Sequence, residues 1–181
     1  MFSTFCCYYT NAQSIRNKIL ELQDIVLSYS PKIIGLTETW ITDDMFDGEF
    51  YLDEYILFSC NRMHGGAALF VHNSLNPIQC DELNNFDFCD ATWCSVTVDT
   101  NVTCLIGVVY RSPNSNEENN NKLLSLLEKV SSSSFTNLLI MGDFNLPLID
   151  YSDMTVNASE ESFSMKFFDA TQDVSVSAHK F

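Results

Sequence analysis

The sequence predicts an α+β sandwich, in which strands form two sheets and helices cover their outer faces. Short apolar runs of strand length recur along the chain, and longer segments between them have apolar residues at helical spacing. The 181 residues, of which 46% are hydrophobic, can bury one substantial core. We therefore expect one domain over residues 1–170 and a polar tail over 171–181.

The first half of the chain alternates between strand and helix signals. Its strand-like runs are residues 5–9, 33–36, 55–60 and 67–71. Between the first two runs, apolar residues at helical spacing predict a helix over 15–26, which Pro31 ends. Gly65 and Gly66 supply the turn between the last two strands.

The second half repeats this alternation. Its predicted strands cover residues 93–98, 102–110 and 136–141, the first of them with a strict alternation of side chains. Two amphipathic helices are predicted over 123–130 and 163–169.

The charge balance limits the partners of the chain. Its 24 acidic residues outnumber 9 basic ones, for a formal net charge of −15. Nucleic-acid-binding proteins normally present a basic surface, because neutralised phosphates release counterions. We therefore expect only weak affinity for DNA, unless a local basic patch or bound divalent cations offset the acids. A solvated acidic surface that only keeps the chain in solution explains this charge equally well.

Cysteine usage indicates a reducing compartment. The seven cysteines include no Cys-x-x-Cys pair, and the three histidines lack the spacing of zinc ligands. The chain shows neither a signal-peptide pattern nor an apolar segment long enough to cross a membrane. We therefore expect an intracellular protein, nuclear or cytoplasmic, with no membrane partner.

Polar side chains stand at the ends of several predicted strands. In residues 138–145 an apolar run ends at Gly142, and Asp143 and Asn145 follow directly. The same arrangement follows earlier runs at three positions, Asn11, Glu38 and Tyr110. Strand ends are where α/β sheets place their chemistry. The sequence therefore predicts that these side chains form one site.

Each of these side chains also has a purely structural explanation. Asn11 suits a turn or a helix cap, and Asp143 with Asn145 can form an Asx-turn. Tyr110 can be a half-buried aromatic residue at a sheet edge. Glu38 can be an ordinary strand-end acid in an acid-rich chain.

Five ordered sequence blocks extend this pattern. They are Asn-Ala-Gln-Ser-Ile-Arg-Asn-Lys at 11–18, Glu-Thr-Trp-Ile at 38–41, Gly-Gly-Ala-Ala-Leu-Phe-Val at 65–71, Tyr-Arg-Ser-Pro at 110–113 and Gly-Asp-Phe-Asn-Leu-Pro at 142–147. In this order they resemble the endonuclease/exonuclease/phosphatase superfamily, which includes exonuclease III, apurinic endonucleases and DNase I. More specifically, the chain resembles the endonuclease domain of non-LTR (LINE-type) retrotransposons. The resemblance implies a four-layer α/β/β/α sandwich.

The resemblance also implies metal-assisted hydrolysis of phosphodiester bonds in DNA. In this mechanism Glu38 would hold Mg²⁺, for which Mn²⁺ can substitute, and Asn11 would support the metal cluster. Tyr110 would donate its hydroxyl group to a phosphate oxygen. Asp143 would orient and help to deprotonate the attacking water, or stabilise the leaving oxygen, and Asn145 would fix that geometry.

The resemblance does not extend to the end of the family's pattern. The family closes with Ser-Asp-His on a late strand, and the 181 residues contain no such triplet. The nearest match, Ser177-Ala178-His179, lacks the aspartate. We therefore expect a C-terminally incomplete domain that lacks its last strands, has impaired activity and self-associates through unpaired sheet edges. Arg111, next to Tyr110, is a candidate for binding the phosphate backbone of the substrate.

Three functions stay open at the level of sequence. The first is a metal-dependent DNA endonuclease of retrotransposon type, impaired by the loss of Ser-Asp-His. The second is a non-catalytic remnant or interaction module that binds a partner through an exposed sheet. The third is a phosphoesterase that acts on a small molecule or a lipid headgroup, which the net charge of −15 favours.

Overall fold

Two four-stranded sheets pack face to face in the computed structural model, which describes residues 6–45, 47–99 and 102–173. The first sheet contains β1 (Cys7–Asn11), β2 (Ile33–Thr37), β3 (Tyr55–Cys60) and β4 (Ala67–His72), in the order β1-β2-β4-β3. The second contains β5 (Ile78–Gln79), β6 (Ala91–Asp99), β7 (Val102–Tyr110) and β8 (Leu138–Asp143), in sequence order. The helices are α1 (Ile15–Tyr29), α2 (Asp81–Asn84), α3 (Glu117–Ser131) and α4 (Phe163–Asp173), and a short hairpin joins β9 (Ile149–Asp150) to β10 (Thr155–Val156). No helix in the described part of the chain is long and apolar enough to cross a membrane.

Three apolar clusters define the layers of the structure. The middle cluster lies between the two sheets and includes Leu69 of β4 and Ile106 of β7. A second cluster packs α1 against the outer face of the first sheet, with Leu22 fully buried. A third packs α3 and α4 against the second sheet through Leu126 and Phe167. The layers are therefore α/β/β/α, which confirms the predicted fold class.

The start of α3 differs from its prediction. The helix begins at Glu117 rather than at 123, because the Asn116 side chain accepts a hydrogen bond from the Asn119 amide at 2.9 Å. Glu117 and Glu118 in the first turn also suit the positive end of the helix dipole. Apolar spacing could not show this turn, because its residues are polar on every side.

The last helix runs past its predicted end. α4 continues to Asp173, and within it Thr171 is buried, with its hydroxyl donating to the Phe168 carbonyl at 2.7 Å. The domain boundary predicted at residue 170 therefore falls inside this helix. The rest of the predicted tail, including Ser177-Ala178-His179, lies outside the described residues.

Parallel strand pairs bring the predicted site residues to one edge of each sheet. β1 runs parallel to β2, with Asn11 opposite Thr37. β7 runs parallel to β8, with Tyr110 opposite Asp143. Parallel neighbours end on the same side, so each pair presents its carboxyl-terminal residues together. Among the described strands, β1 and β8 are also terminal strands of their sheets.

Candidate active site

Glu38 and Asn11 form the first half of the candidate site. The Asn11 Nδ2 atom donates a hydrogen bond to Glu38 Oε1 at 2.8 Å. The Asn11 Oδ1 atom accepts a hydrogen bond from the Gln13 amide at 3.2 Å, so both ends of the side-chain amide are fixed. Asn11 therefore sets the rotation of the Glu38 carboxylate.

The backbone at Glu38 is in an unusual conformation. Its φ is 51°, in the left-handed region that a residue with a Cβ atom adopts only at a cost. The Glu38 carbonyl accepts the Ser14 amide at 2.9 Å, and the Thr39 carbonyl accepts the Ile15 amide at 3.0 Å. These bonds to the start of α1 hold the strained segment, and such strain is common at functional sites.

Tyr110 and Asp143 form the second half of the site, at the ends of β7 and β8. The Tyr110 side chain lies close enough to the Glu38 and Asp143 carboxylates for their negative charges to act on it, which brings the two halves of the site together across the sheets. Burial, followed by the negative charges of Glu38 and Asp143, raises the pKa of Tyr110 to about 12. At neutral pH the phenol is therefore protonated and acts as a hydrogen-bond donor.

An Asx-turn follows β8. Asp143 Oδ1 accepts a hydrogen bond from the Asn145 amide at 3.1 Å, and Asn145 Nδ2 donates to the Arg111 carbonyl at 2.9 Å. The φ of Asn145 is 50°, which asparagine tolerates better than most residues. Asp143 and Asn145 therefore form the Asx-turn that the sequence allowed as a purely structural explanation. The hydrogen bond of this turn also fixes the position of the Asp143 carboxylate.

Arg111, which the sequence offers as a candidate for binding the substrate backbone, is buried, and its role in substrate binding stays a prediction. It is 7% exposed, and its guanidinium donates to the Phe144 and Asn145 carbonyls at 3.2 Å and to Asn120 Oδ1 at 2.8 Å. The guanidinium also lies 4.8 Å from the centre of the Phe163 ring. Burial lowers its pKa. These contacts support the loop around Asn145, and they direct the Arg111 donors to protein atoms.

Tyr9 lies beside the site, although the sequence did not single it out. Its hydroxyl shares a hydrogen bond with Thr37 Oγ1 at 2.8 Å. Burial, and then the charges of Asp143 and Glu38, raise the pKa of Tyr9 to about 12. A usable signal was present, because Tyr9 and Asn11 are two residues apart on a strand and so project from the same face.

Asp90, directly before β6, is a second residue that the sequence did not single out. It is 4% exposed, and its Oδ1 atom accepts the Gly66 amide at 3.0 Å. Its Oδ2 atom forms an ion pair with Arg62. Burial raises the pKa of Asp90, and the contacts with Gly66 and Arg62 oppose that rise. These partners are distant in sequence, so no local pattern distinguishes Asp90 from an ordinary loop acid.

The site holds an excess of negative charge. Within the described residues, neither Glu38 nor Asp143 forms an ion pair with a lysine, an arginine or a histidine. Their oxygens suit a hard divalent cation such as Mg²⁺, which binds one or two carboxylates and keeps several waters. No three His, Cys, Asp or Glu side chains of the described chain lie close enough together to hold a metal. A cation here would therefore take its remaining ligands from water or substrate.

The basic side chains at the start of α1 are already paired with acids. Arg16 contacts Glu49 at 2.9 Å, and Lys18 contacts Glu21 at 2.7 Å. Their charges are thus partly neutralised near the site.

Comparison with known families identifies the chain. The sequence profile of the endonuclease/exonuclease/phosphatase family matches residues 9–157. This range includes the five candidate site residues, which are Asn11, Glu38, Tyr110, Asp143 and Asn145. The chain belongs to this family. Among curated proteins, none matches it in sequence.

Solved structures with the same fold are distant in sequence. The AP endonuclease LMAP from Leishmania major has a TM-score of 0.68 at 14% identity, over 93% of this chain and 66% of that one. The endonuclease domain of TRAS1, a telomere-specific non-LTR retrotransposon, has a TM-score of 0.67 at 15% identity, over 94% of this chain and 71% of that one. The 3′ phosphatase NExo from Neisseria, bound to a product DNA hairpin, has a TM-score of 0.64 at 15% identity, over 94% and 71%. The chain thus spans about two thirds of the length of these proteins.

The predicted family and the predicted four-layer sandwich are confirmed. The structure brings together Asn11, Glu38, Tyr110, Asp143 and Asn145, as the strand ends indicated. The chemical roles of these side chains stay predictions.

Proposed function

We propose that the protein is a metal-dependent endonuclease of retrotransposon type that hydrolyses phosphodiester bonds in DNA. The observation that supports this most strongly is one cluster, in which Asn11 is hydrogen-bonded to Glu38 and Tyr110 lies close to the Glu38 and Asp143 carboxylates. It joins the carboxyl ends of strands from both sheets in a site with no basic partner among the described residues. The family match is consistent with a phosphoester substrate, and the NExo structure, a 3′ phosphatase bound to product DNA, is consistent with a DNA substrate.

Glu38 is the residue that we expect to hold Mg²⁺ or Mn²⁺. When bound, the cation would polarise a phosphoryl oxygen and neutralise the charge that develops during hydrolysis. Asn11 fixes the rotation of the carboxylate toward this position. The backbone at Glu38 is left-handed and is hydrogen-bonded to the start of α1, so we expect it to limit movement of the same carboxylate.

Tyr110 and Asp143 are expected to act on the phosphate and on water. The Tyr110 phenol stays protonated because of its raised pKa, so it can donate to a non-bridging phosphate oxygen. Asp143, positioned by the Asn145 amide, can orient the attacking water and accept its proton. Asn145 is in turn anchored on the Arg111 carbonyl.

We also propose that these 181 residues cleave DNA slowly. They contain no Ser-Asp-His triplet, whose histidine the family resemblance places at the scissile phosphate. Among the described strands, β1 and β8 are the terminal strands of their sheets, and we expect their outer edges to pair with a second copy at high concentration.

We place this activity inside the cell, in the nucleus or the cytoplasm. All seven cysteines lie within the described residues and are unpaired. Such usage suits a reducing compartment.

A phosphoesterase that acts on a small molecule is the second candidate. The net charge of −15 and the paired state of Arg16 and Lys18 favour it, because a small substrate needs few contacts with basic groups. Salt separates the two functions. Binding of DNA through phosphate contacts should weaken steeply as salt rises, whereas turnover of a small ester should change little.

Plasmid nicking tests the proposed function. Wild type should nick supercoiled DNA slowly with Mg²⁺ or Mn²⁺ and not with EDTA, and Glu38→Ala should abolish nicking. Glu21→Ala is the matched control, since Glu21 is an exposed acid on α1 that pairs with Lys18. Nicking that survives Glu38→Ala would refute the assignment of Glu38. Hydrolysis of bis(p-nitrophenyl) phosphate without any nicking would favour the small-molecule function.

A further inference from the structure

We infer that Asp90 is a positioning residue that holds the Glu38 half of the site against the Tyr110 half. This inference rests on the proposed function, since it concerns the alignment of that same site. Asp90 belongs to the second sheet, where it directly precedes β6. The turn that it contacts, Gly65 and Gly66, belongs to the first sheet, where it directly precedes β4.

A chain of hydrogen bonds leads from Asp90 to Glu38. The Gly66 amide donates to Asp90 Oδ1 at 3.0 Å, across the gap between the sheets. The neighbouring Gly65 carbonyl accepts the Trp40 amide at 3.1 Å. Trp40 is two residues beyond Glu38 and also has a positive φ, of 53°. A shift of the glycine turn would therefore move the strained segment that presents the Glu38 carboxylate.

A second contact leads from Asp90 to Tyr110. The Asp90 carbonyl accepts the Tyr110 amide at 2.8 Å, so the residue binds Tyr110 through its main chain and Gly66 through its side chain. Gly65, Asp90 and the Tyr110 ring are packed closely together. A Cβ atom on Gly65 would lie 2.9 Å from Asp90 Oδ1 and 3.6 Å from the Tyr110 ring. The φ values of Gly65 and Gly66 are 152° and 82°, which again favour glycine.

Arg62 allows the Asp90 carboxylate to stay ionised in this buried position. The Asp90 side chain is 5% exposed and that of Arg62 is 47% exposed, so the guanidinium covers the carboxylate from the solvent side. An ionised group that is buried without a partner is strongly destabilising. A charged carboxylate also accepts a backbone amide more strongly than a neutral one. Arg62 therefore belongs to the same positioning unit.

Four variants test this inference by steady-state cleavage. Asp90→Ala removes both contacts of the side chain, Asp90→Asn keeps an oxygen for the Gly66 amide, and Arg62→Met removes only the cation. Lys129→Met is the matched control, because Lys129 is similarly exposed (42%) and pairs with Glu82 on α2. Circular dichroism is used to choose a temperature at which every variant is folded, and cleavage is measured at that temperature.

We expect the loss to appear in kcat rather than in KM. Misplacement of a reacting group by about 1 Å can cost about 10²-fold in rate, so Asp90→Ala should lower kcat by about 10- to 100-fold. Asp90→Asn should recover part of this loss, and Lys129→Met should match wild type. Equal kcat values for folded Asp90→Ala and wild type, or a loss confined to KM, would overturn the inference.

Amide hydrogen exchange gives a readout that does not need cleavage. In Asp90→Ala the Gly66 and Trp40 amides should exchange at least about 10-fold faster than in wild type, since an unbonded amide loses its protection. Unchanged exchange at both amides would overturn the inference. If wild type cleaves no phosphodiester, the proposed function is wrong, but hydrogen exchange still tests whether Asp90 positions the glycine turn. If Asp90→Ala does not fold, Asp90→Asn and Arg62→Met decide by the same two measurements.

Discussion

Replacing Gly142 with alanine should damage both the fold and the candidate site. A Cβ atom built at Gly142 lies 2.1 Å from the Val109 carbonyl oxygen, more than 1 Å short of the 3.4 Å at which ordinary contact begins. The obstacle is the backbone of the neighbouring strand β7, which cannot rotate away as a side chain could. β8 must therefore shift, and we expect the free energy of unfolding to fall by about 1–3 kcal/mol, the usual cost of overpacking.

The shift should also reach the chemistry. Val109 and Gly142 are paired in register, and the next pair is Tyr110 with Asp143. A displacement of about 1 Å between those two groups should slow cleavage by about 10²-fold. Urea unfolding followed by circular dichroism measures the first effect, and plasmid nicking at a temperature where the variant is folded measures the second.

Gly48→Ala is the matched control for this prediction. Gly48 is exposed, and a Cβ atom there meets nothing within 4 Å. Its unfolding free energy should stay within about 0.5 kcal/mol of wild type, as for most surface substitutions. If Gly142→Ala proves as stable as Gly48→Ala, the argument from the backbone clash is wrong.

Three further predictions concern the core, the site and the buried acid. Gly107→Ala places a Cβ atom 2.2 Å from the fully buried Trp93 ring, so the urea midpoint should fall with a loss of about 1–3 kcal/mol; an unchanged midpoint would contradict this. Tyr110→Phe removes the hydroxyl group of the side chain that lies near Glu38 and Asp143, and nicking should slow by about 10²–10³-fold while the unfolding free energy changes little; equal rates would exclude Tyr110 from the mechanism. Burial raises the pKa of Asp90, so its contribution to stability is present below the unfolded pKa of about 3.9 and is lost as pH rises through the folded value. Wild type should therefore lose stability relative to Asp90→Asn as pH rises from acid toward neutral. Urea unfolding of both proteins across this pH range measures the difference in unfolding free energy, and a difference that does not change with pH would contradict the reasoning.

Local patterns in the sequence were sufficient for most of the fold. Apolar runs marked the strands because buried strands leave few polar positions, as in β2, which is buried along its whole length. The site residues were visible for a related reason. A polar side chain directly after a buried strand, such as Glu38 or Asp143, interrupts the apolar pattern at the point where the strand leaves the core.

Contacts between distant segments were beyond local patterns. The sequence placed Arg111 next to Tyr110 as a candidate for binding the phosphate backbone, and it gave no sign of the contact with the Phe144 carbonyl, 33 residues away. The Arg62–Asp90 pair joins residues 28 positions apart. Only the packing of the two sheets brings such residues together, so neither pairing has a signature in the neighbouring sequence.

The order of the strands has a consequence for how the candidate site is assembled. Every strand of the first sheet comes from Cys7–Asn11 through Ala67–His72, and every described strand of the second comes later in the chain. A break in the connection between them would leave Asn11 and Glu38 on one fragment and Tyr110 and Asp143 on the other. Neither fragment would contain the complete candidate site, so the proposed hydrolysis would require the two sheets to be docked. A ligand that only loosens the interface between the sheets would inhibit the proposed reaction without touching a reacting group.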